Sequence, residues 1–334
     1  MAEGMGKIRL LAILDLLKEF SDEEHPLSST DLIQKLEEAG IPCDRKAIYR
    51  DIAALTEWGA DIMITHSPKQ GYFIATREFS IPEIRLLMDA VSTAPFITTK
   101  KTKELLHKFS SFMSKYQAET LFRQIYIEQR IKFENEEIYY TIDAIHNAIT
   151  AGKKISFQYY HQVITGNTAH LDDGREFTIS PYALVWANDR YYLVGNYEKY
   201  DTVSNYRLDR MKHVEMTKKN ARPFSEVSEY RGYFDTADYL KKTFNMYSGQ
   251  PQEIELQCEL SLLEIILDKF GRGIRFLNQG EGTFRVKAEV YVSEGLVEWL
   301  LQYGARIVVL APTELRNHIA EEIECMYQKY QTLS

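Results

Sequence analysis

Arg45, Lys46, Tyr49 and Arg50 stand in two i,i+4 pairs, 45 with 49 and 46 with 50, so a helix through them carries one basic face with an aromatic centre. Such a face suits DNA. Arginine pairs with guanine edges in the major groove, and lysine or tyrosine reaches phosphate. The other side repeats Ile48, Ile52 and Leu55 at core spacing, with Asp44 placed to cap the helix and Gly59 placed to end it. A solvated charged helix face would carry the same residues. Here two amphipathic helices precede it, over 7–20 and from Ser28 or Ser29 to Gly40, and two short strands follow, 62–65 and 72–74. Three helices and a hairpin predict a winged helix-turn-helix. In that arrangement Ser28, Ser29 and Thr30, at the start of the preceding helix, meet the DNA backbone, and Lys69 at the hairpin tip is a wing contact.

A second group mixes arginines with aromatics. Arg175, Arg190, Arg207 and Arg210 lie in or beside short strand-like runs between 154 and 217, together with Tyr159, Tyr182, Tyr191, Tyr192 and Tyr206. Anionic ligands with stackable bases require this mixture. Strand alternation sends Arg207 and Arg210 to opposite faces unless a bulge or strand end intervenes. Surface pairing with Asp209, Glu176 or Asp189 accounts for the same arginines, and packing inside a small β-barrel or strongly bent sheet accounts for the same tyrosines.

These groups sit in a chain of 334 residues, which predicts two or three domains. Its net charge is −8, from 40 Lys and Arg against 48 Asp and Glu, which excludes a protein that coats nucleic acid by bulk charge. Residues 1–77 are themselves net acidic, so affinity there must come from placement. Hydrophobic content of 45% excludes global disorder, and 22 tyrosines outnumber 16 phenylalanines and three tryptophans. That excess asks for a physical cause.

Residues 81–151 read as helical, the strand-like runs 154–160, 176–180, 184–187, 190–194, 204–208 and 214–217 as the barrel or bent sheet, and 220–250 as poorly periodic. Beyond 251 the order is β-α-β-β-α-β with a tail helix, a ferredoxin-like pattern. The fold class is therefore multidomain α+β. Its expected parts are a winged helix-turn-helix at 1–77, a helical bridge at 78–151, a small β-barrel at 152–222, a linker at 223–250 and a ferredoxin-like domain at 251–334.

Cys43, Cys258 and Cys325 are too few and too scattered for a disulfide framework or a CxxC motif, which suits a reducing cytoplasm. Asp15 interrupts the apolar run 8–17 and no cleavage site follows, so the run reads as a helix of the mature chain; no uncharged run nears the ~20 residues a membrane span needs. Enzyme signatures are missing: there is no HExxH, no Cys/His cluster around His161 or His170, no nucleophile elbow and no well-placed carboxylate pair. Gly271-Arg272-Gly273 follows a helix and reads as its C-terminal turn. The expectation is a non-enzymatic protein without catalytic residues, metal or cofactor.

The run Asp44 to Ile52, with Leu55, Gly59 and Gly71-Tyr72, resembles the DNA-binding domain of WYL-domain transcriptional regulators. Ser180 to Trp186, Asp189 to Gly195 and Tyr206 to Met211 resemble that family's three successive sheet motifs, with Tyr191 at the first position of the Trp-Tyr-Leu signature. The tail is similar to the family's C-terminal WCX-type extension. The resemblance implies a bacterial, cytoplasmic homodimer on an inverted-repeat double-stranded DNA operator. It further implies an Sm-like sensor barrel for a nucleotide or single-stranded nucleic acid, with Tyr159, Arg175, Tyr182, Arg190, Tyr192, Arg207 and Arg210 as ligand contacts. Ligand is expected to act through the helical region 81–151 and change operator affinity by about 1–3 kcal/mol. The rival expectation is a nucleic-acid-sensing interaction or defence-associated protein whose winged domain is a protein contact.

Overall fold

A computed structural model describes residues 2–124, 132, 137–230, 234–280 and 282–332. The chain divides into two units, residues 1–134 and 135–334. Each is built around its own apolar clusters.

The first unit opens with α1 (Ala2–Phe20), α2 (Ser29–Glu38) and α3 (Arg45–Trp58), then a hairpin of β1 (Ile62–Thr65) and β2 (Gly71–Ile74). Apolar residues at helical spacing put Ile13, Leu17, Leu32, Leu36, Ile48 and Leu55 in one core. The helix ends follow from their residues. Ser28 and Asp31 form a reciprocal capping box on α2, the Asp44 carboxylate accepts from the Ala47 amide at 2.7 Å, and Gly59 ends α3 at φ 110°. The hairpin is held to the entry of α2 because Leu27 and Tyr72 exchange both backbone hydrogen bonds, at 2.9 and 2.8 Å. Glycine is needed beside that contact, since a Cβ at Gly71 would lie 2.8 Å from the Leu27 carbonyl carbon.

Among the described residues, three more helices follow in this unit: α4 (Ile81–Thr93), α5 (Thr99–Ser110) and α6 (Lys115–Phe122). Ile84, Met88, Leu106 and Met113 are their core. The loop after α1 is tied to them through one buried carboxylate: Asp22 accepts from the Ser114 hydroxyl and bonds the His25 imidazole Nδ1 at 2.8 Å, while His25 stacks on Tyr116 at 3.8 Å. Of the expected helical region, residues 125–131 and 133–136 lie outside the described residues.

The second unit begins with α7 (Ile138–Ala151), ended by Gly152 at φ 61°. It packs on a sheet of β3 (Lys153–Tyr159), β6 (Arg175–Ala187), β7 (Arg190–Tyr197), β8 (Ser204–Arg207) and β9 (Met211–Asn220). Their order is β8-β7-β6-β3-β9. Of the expected small β-barrel or strongly bent sheet, this order corrects the barrel: among the described residues β8 pairs only with β7 and β9 only with β3, so both are open edges. Closure would require a ladder between two successive strands, but the chain between them makes a 3-10 turn over Leu208–Arg210 and the four-residue β8 ends there. The two strand runs expected at 176–180 and 184–187 are one strand, β6, with a register shift between Pro181 and Ala183. A further exposed hairpin, β4 (Gln162–Thr165) with β5 (Thr168–Leu171), stands between β3 and β6.

Residues 223–250, expected as a linker, carry α8 (Thr236–Lys242) and bury Tyr239 and Phe244. Ring packing among Phe224, Tyr230, Phe234 and Tyr239 explains why the segment has no simple period. Then come β10 (Gln250–Glu259), α9 (Leu263–Phe270), β11 (Arg275–Gly280), β12 (Thr283–Val292), α10 (Glu294–Leu301), β13 (Ile307–Ala311) and α11 (Thr313–Gln331). The strands order as β11-β12-β10-β13, with Leu256, Ile266, Val286, Leu296 and Val309 beneath them.

One ion pair stands out in the first unit. Arg9 on α1 donates through Nε to Asp51 on α3 at 2.6 Å, with side chains only 15% and 9% exposed. Removing the guanidinium leaves a carboxylate in an apolar surround. Arg9→Ala is expected to lose about 2 kcal/mol in urea unfolding followed by helical circular dichroism, and an unchanged midpoint would show the pair to be dispensable.

Candidate functional site

The α3 helix turns Ala47, Ile48, Asp51, Ile52 and Leu55 inward. Arg45, Lys46, Tyr49 and Arg50 are consequently all exposed, and the Arg45 guanidinium lies 5.7 Å from the centre of the Tyr49 ring. Asp51 cannot leave the core side without losing Arg9, so the roll of α3, and with it the direction of the basic face, is held.

The neighbouring candidates are less free than their residue types suggest. Arg45 Nε donates to the Ser29 hydroxyl at 3.0 Å, and Ser29 is buried. Ser28 spends its hydroxyl on the Asp31 amide at 3.1 Å, as the cap of α2. Thr30 is exposed. Lys69, on the hairpin loop, donates to Asp31 Oδ2 at 2.8 Å. Burial works against ionising Asp31, but Lys69 and the Ser28 groups win and hold its carboxyl below the ordinary value. Ser29, Arg45, Asp31 and Lys69 thus link α2, α3 and the β1–β2 hairpin. Asp31 is the member that residue types alone did not single out; its position three residues after Ser28 is the signal.

In the second unit Arg190 and Arg207 meet at Asp209, with Tyr192 opposite Arg207 and Tyr159 beside Arg207 and Arg210. Arg207 reaches the Asp209 carboxylate with two nitrogens, Nε at 3.1 Å and Nη2 at 2.6 Å, and Arg190 Nη1 lies 3.7 Å from the same group. The Asp209 bond raises the Arg207 guanidinium further above its ordinary range. Tyr159 accepts from the Arg207 amide at 3.1 Å, and Tyr192 faces Arg207 across the β7–β8 ladder. Burial pushes both tyrosine hydroxyls up, partly offset by Arg207, with Arg210 acting on Tyr159 and Arg190 on Tyr192. They are neutral hydrogen-bonding groups at ordinary pH. The strand alternation that would separate Arg207 from Arg210 is broken, because β8 ends at Arg207 and the 3-10 turn brings Arg210 back toward Tyr159.

Arg175 stands directly opposite Tyr159 in the β3–β6 ladder, whereas Tyr182 lies apart from that cluster. Arg175 is exposed, 5.4 Å over the Phe177 ring, and Phe177 continues into Phe157, Tyr159, Tyr197 and Tyr206 at centroid distances of 5.5 to 6.2 Å. Arg175 therefore stands at the rim of an aromatic patch. Tyr182 instead donates to the Arg222 carbonyl at 2.9 Å and packs on Phe224, and burial raises its hydroxyl to about 12. Phe157 and Phe177, which link the rim to the cluster, carry no polar group that would have marked them beforehand.

Among the described residues no group of three or more His, Cys, Asp and Glu is arranged to hold a metal ion, and no helix is long and apolar enough to cross a membrane.

Comparison with known proteins yields three domain families. An HTH domain matches residues 9–73, a WYL domain 140–216 and a WCX domain 250–327. No curated protein matches the chain. Among solved structures it is similar to proteasome accessory factor B/C (PafBC) of Arthrobacter aurescens, at 15% identity over 97% of this chain and 49% of that one, with a TM-score of 0.29. It is also similar to a CRISPR Cas-related protein, at 11% identity over 98% of this chain and 81% of that one, with a TM-score of 0.39. The chain spans about half the length of the PafBC chain. With HTH, WYL and WCX domains following one another in that order, the chain belongs to the WYL-domain regulators that carry a WCX extension.

Proposed function

We propose that this protein is a non-enzymatic transcriptional regulator in which two copies read the half-sites of an inverted-repeat operator, controlled by a nucleotide or single-stranded nucleic acid bound at the WYL domain. In this reading residues 1–77 are a winged helix-turn-helix, 78–151 a helical bridge, 152–222 an Sm-like sensor sheet and 251–334 a ferredoxin-like domain. The observation that carries it is the exposed face of α3, with Arg45 and Arg50 for base edges and Lys46 and Tyr49 for phosphate, on a helix whose roll is held by Asp51. Net acidity elsewhere keeps non-specific affinity low, so binding depends on correct seating.

The sensor reading rests on the arginines around Asp209. A phosphate takes the place of the Asp209 carboxylate against Arg207 and Arg190, and a base stacks along the patch that runs from Tyr159 through Phe177 to Arg175. Displacing Asp209 releases the short turn that carries Arg210. Within the first unit, the bond from Asp22 to Ser114 supplies a link by which a shift of α6 reaches the entry of α2.

Gel-shift titration against the operator tests the reader: Arg45→Ala and Arg50→Ala should each cost about 1–3 kcal/mol, and Lys46→Ala should lower the salt dependence by about one counterion. Intact specific binding in both arginine variants would remove α3 as the reader. For the sensor, the purified protein should bind short single-stranded oligonucleotides, with Arg207→Ala and Arg175→Ala weakening them by roughly tenfold or more. Equal affinity in both variants would place the ligand elsewhere.

A further inference from the structure

The first unit contains a cavity that neither the DNA-reading face nor the arginines around Asp209 touch. It opens between the loop after α1, the stretch that follows β2 and one face of α6, and it measures about 720 Å³. Pockets of that size take small organic molecules. Ile74, Phe79, Ile81 and Leu121 supply an apolar wall. A flat aromatic surface joins it, because the His25 imidazole stacks on the Tyr116 ring at 3.8 Å with the planes 10° apart, and Tyr116 is still 37% exposed.

The charges that line the cavity are unequal. Glu23, Glu24 and Glu119 are exposed, and among the described residues their carboxylates have neither a cation nor a hydrogen-bond donor as partner. Asp22 adds a fourth carboxylate, nearly buried. Burial works against ionising it, but the Ser114 hydroxyl and His25 outweigh burial and hold its carboxyl below the ordinary value. Two arginines oppose them. Arg77 is spent on the backbone carbonyls of Lys18 and Ser21, at 2.8 and 2.7 Å, which leaves Arg123, just past the end of α6. Tyr116 and Glu119 stand at i and i+3 on that helix, so one face offers an aromatic ring and a carboxylate side by side.

We propose that this cavity binds a small organic cation with a flat apolar body, of the arylalkylamine or quaternary ammonium class, its body on the wall of Phe79, Ile81 and Leu121 and its charged head against Tyr116, Glu23 and Glu119. An aromatic face attracts a cation through the ring quadrupole, and the carboxylates add Coulombic attraction. An anion meets the reverse. The site therefore has the opposite charge preference to the arginines that meet at Asp209, and it does not rest on the sensor reading. A molecule seated there touches both sides of the link from Asp22 to Ser114, through His25 on the loop and Tyr116 on α6. It thus bears on how the entry of α2 meets the helices that follow.

Equilibrium dialysis of the full chain, without DNA, against 4-phenylbutylammonium and 4-phenylbutyrate tests this, since the two probes share one body and differ in the sign of the head. The cation is expected to bind with a Kd of roughly 0.1 mM and the anion at least about tenfold more weakly. Glu23→Gln together with Glu119→Gln should weaken the cation about tenfold, and Tyr116→Ala about as much, while Tyr116→Phe keeps the ring and should bind like the wild type. All three positions are exposed, and unaltered circular dichroism checks that each variant is folded. No retention of the cation, equal retention of the anion, or wild-type affinity in both the double glutamine variant and Tyr116→Ala would overturn the proposal.

Discussion

A buried carboxylate facing a guanidinium, Asp51 against Arg9, is the contact from which the first unit takes its orientation. Apolar residues alone place α3 on α1 and α2, but a greasy stripe tolerates some rolling of the helix. An ion pair at 2.6 Å limits that rolling, because a roll large enough to separate Asp51 from Arg9 would leave a charge unpaired beside Ile48 and Ile52. The exposed positions of Arg45, Lys46, Tyr49 and Arg50 are the outward consequence. The same logic recurs nearby, where Asp31 both caps α2 and holds Lys69.

Asp209 is a second nearly buried carboxylate, 10% exposed against 9% for Asp51, but the guanidiniums it gathers, Arg207 and Arg190, are 24% and 32% exposed and so reachable from solvent. Held charges at a reachable surface are what the proposed sensor requires: an incoming anion would replace one carboxylate without uncovering an apolar core. The tyrosine excess of the chain has its cause here and just downstream. Tyr159, Tyr197 and Tyr206 tile the sheet with Phe157 and Phe177, and Tyr230, Tyr239 and Tyr291 join the sheet to the segment after it, their rings in the core and their hydroxyls bonded to Asp238, Asn205 and Glu229.

The helices were legible because their signals are local. Asp44, Gly59, Ser28 and the 3.6-residue repeat each act within one or two turns, and the basic face of α3 follows from the repeat by subtraction. The sheet was less so. The runs 176–180 and 184–187 read as separate strands, whereas β6 runs through both with a register shift between Pro181 and Ala183, and the β4–β5 hairpin lacks the apolar alternation of a packed strand because all of its residues face solvent. The segment 223–250 looked like a connector because rings packed in three dimensions leave no period along the chain.

By itself, then, the sequence determined the order of the helices and strands apart from the β4–β5 hairpin, the continuous β6 and α8, the basic face of one helix and the presence of arginines and tyrosines in one stretch, since each depends on neighbours a few residues away. Only the tertiary structure decided that the sheet stays open, that Arg207 and Arg210 both bear on Tyr159 while Tyr182 does not, and that Arg45 and Lys69 are already engaged by Ser29 and Asp31. Those outcomes depend on where a strand ends and which carboxylate a guanidinium meets across the fold. Such contacts join residues far apart in the chain, and no spacing along it records them.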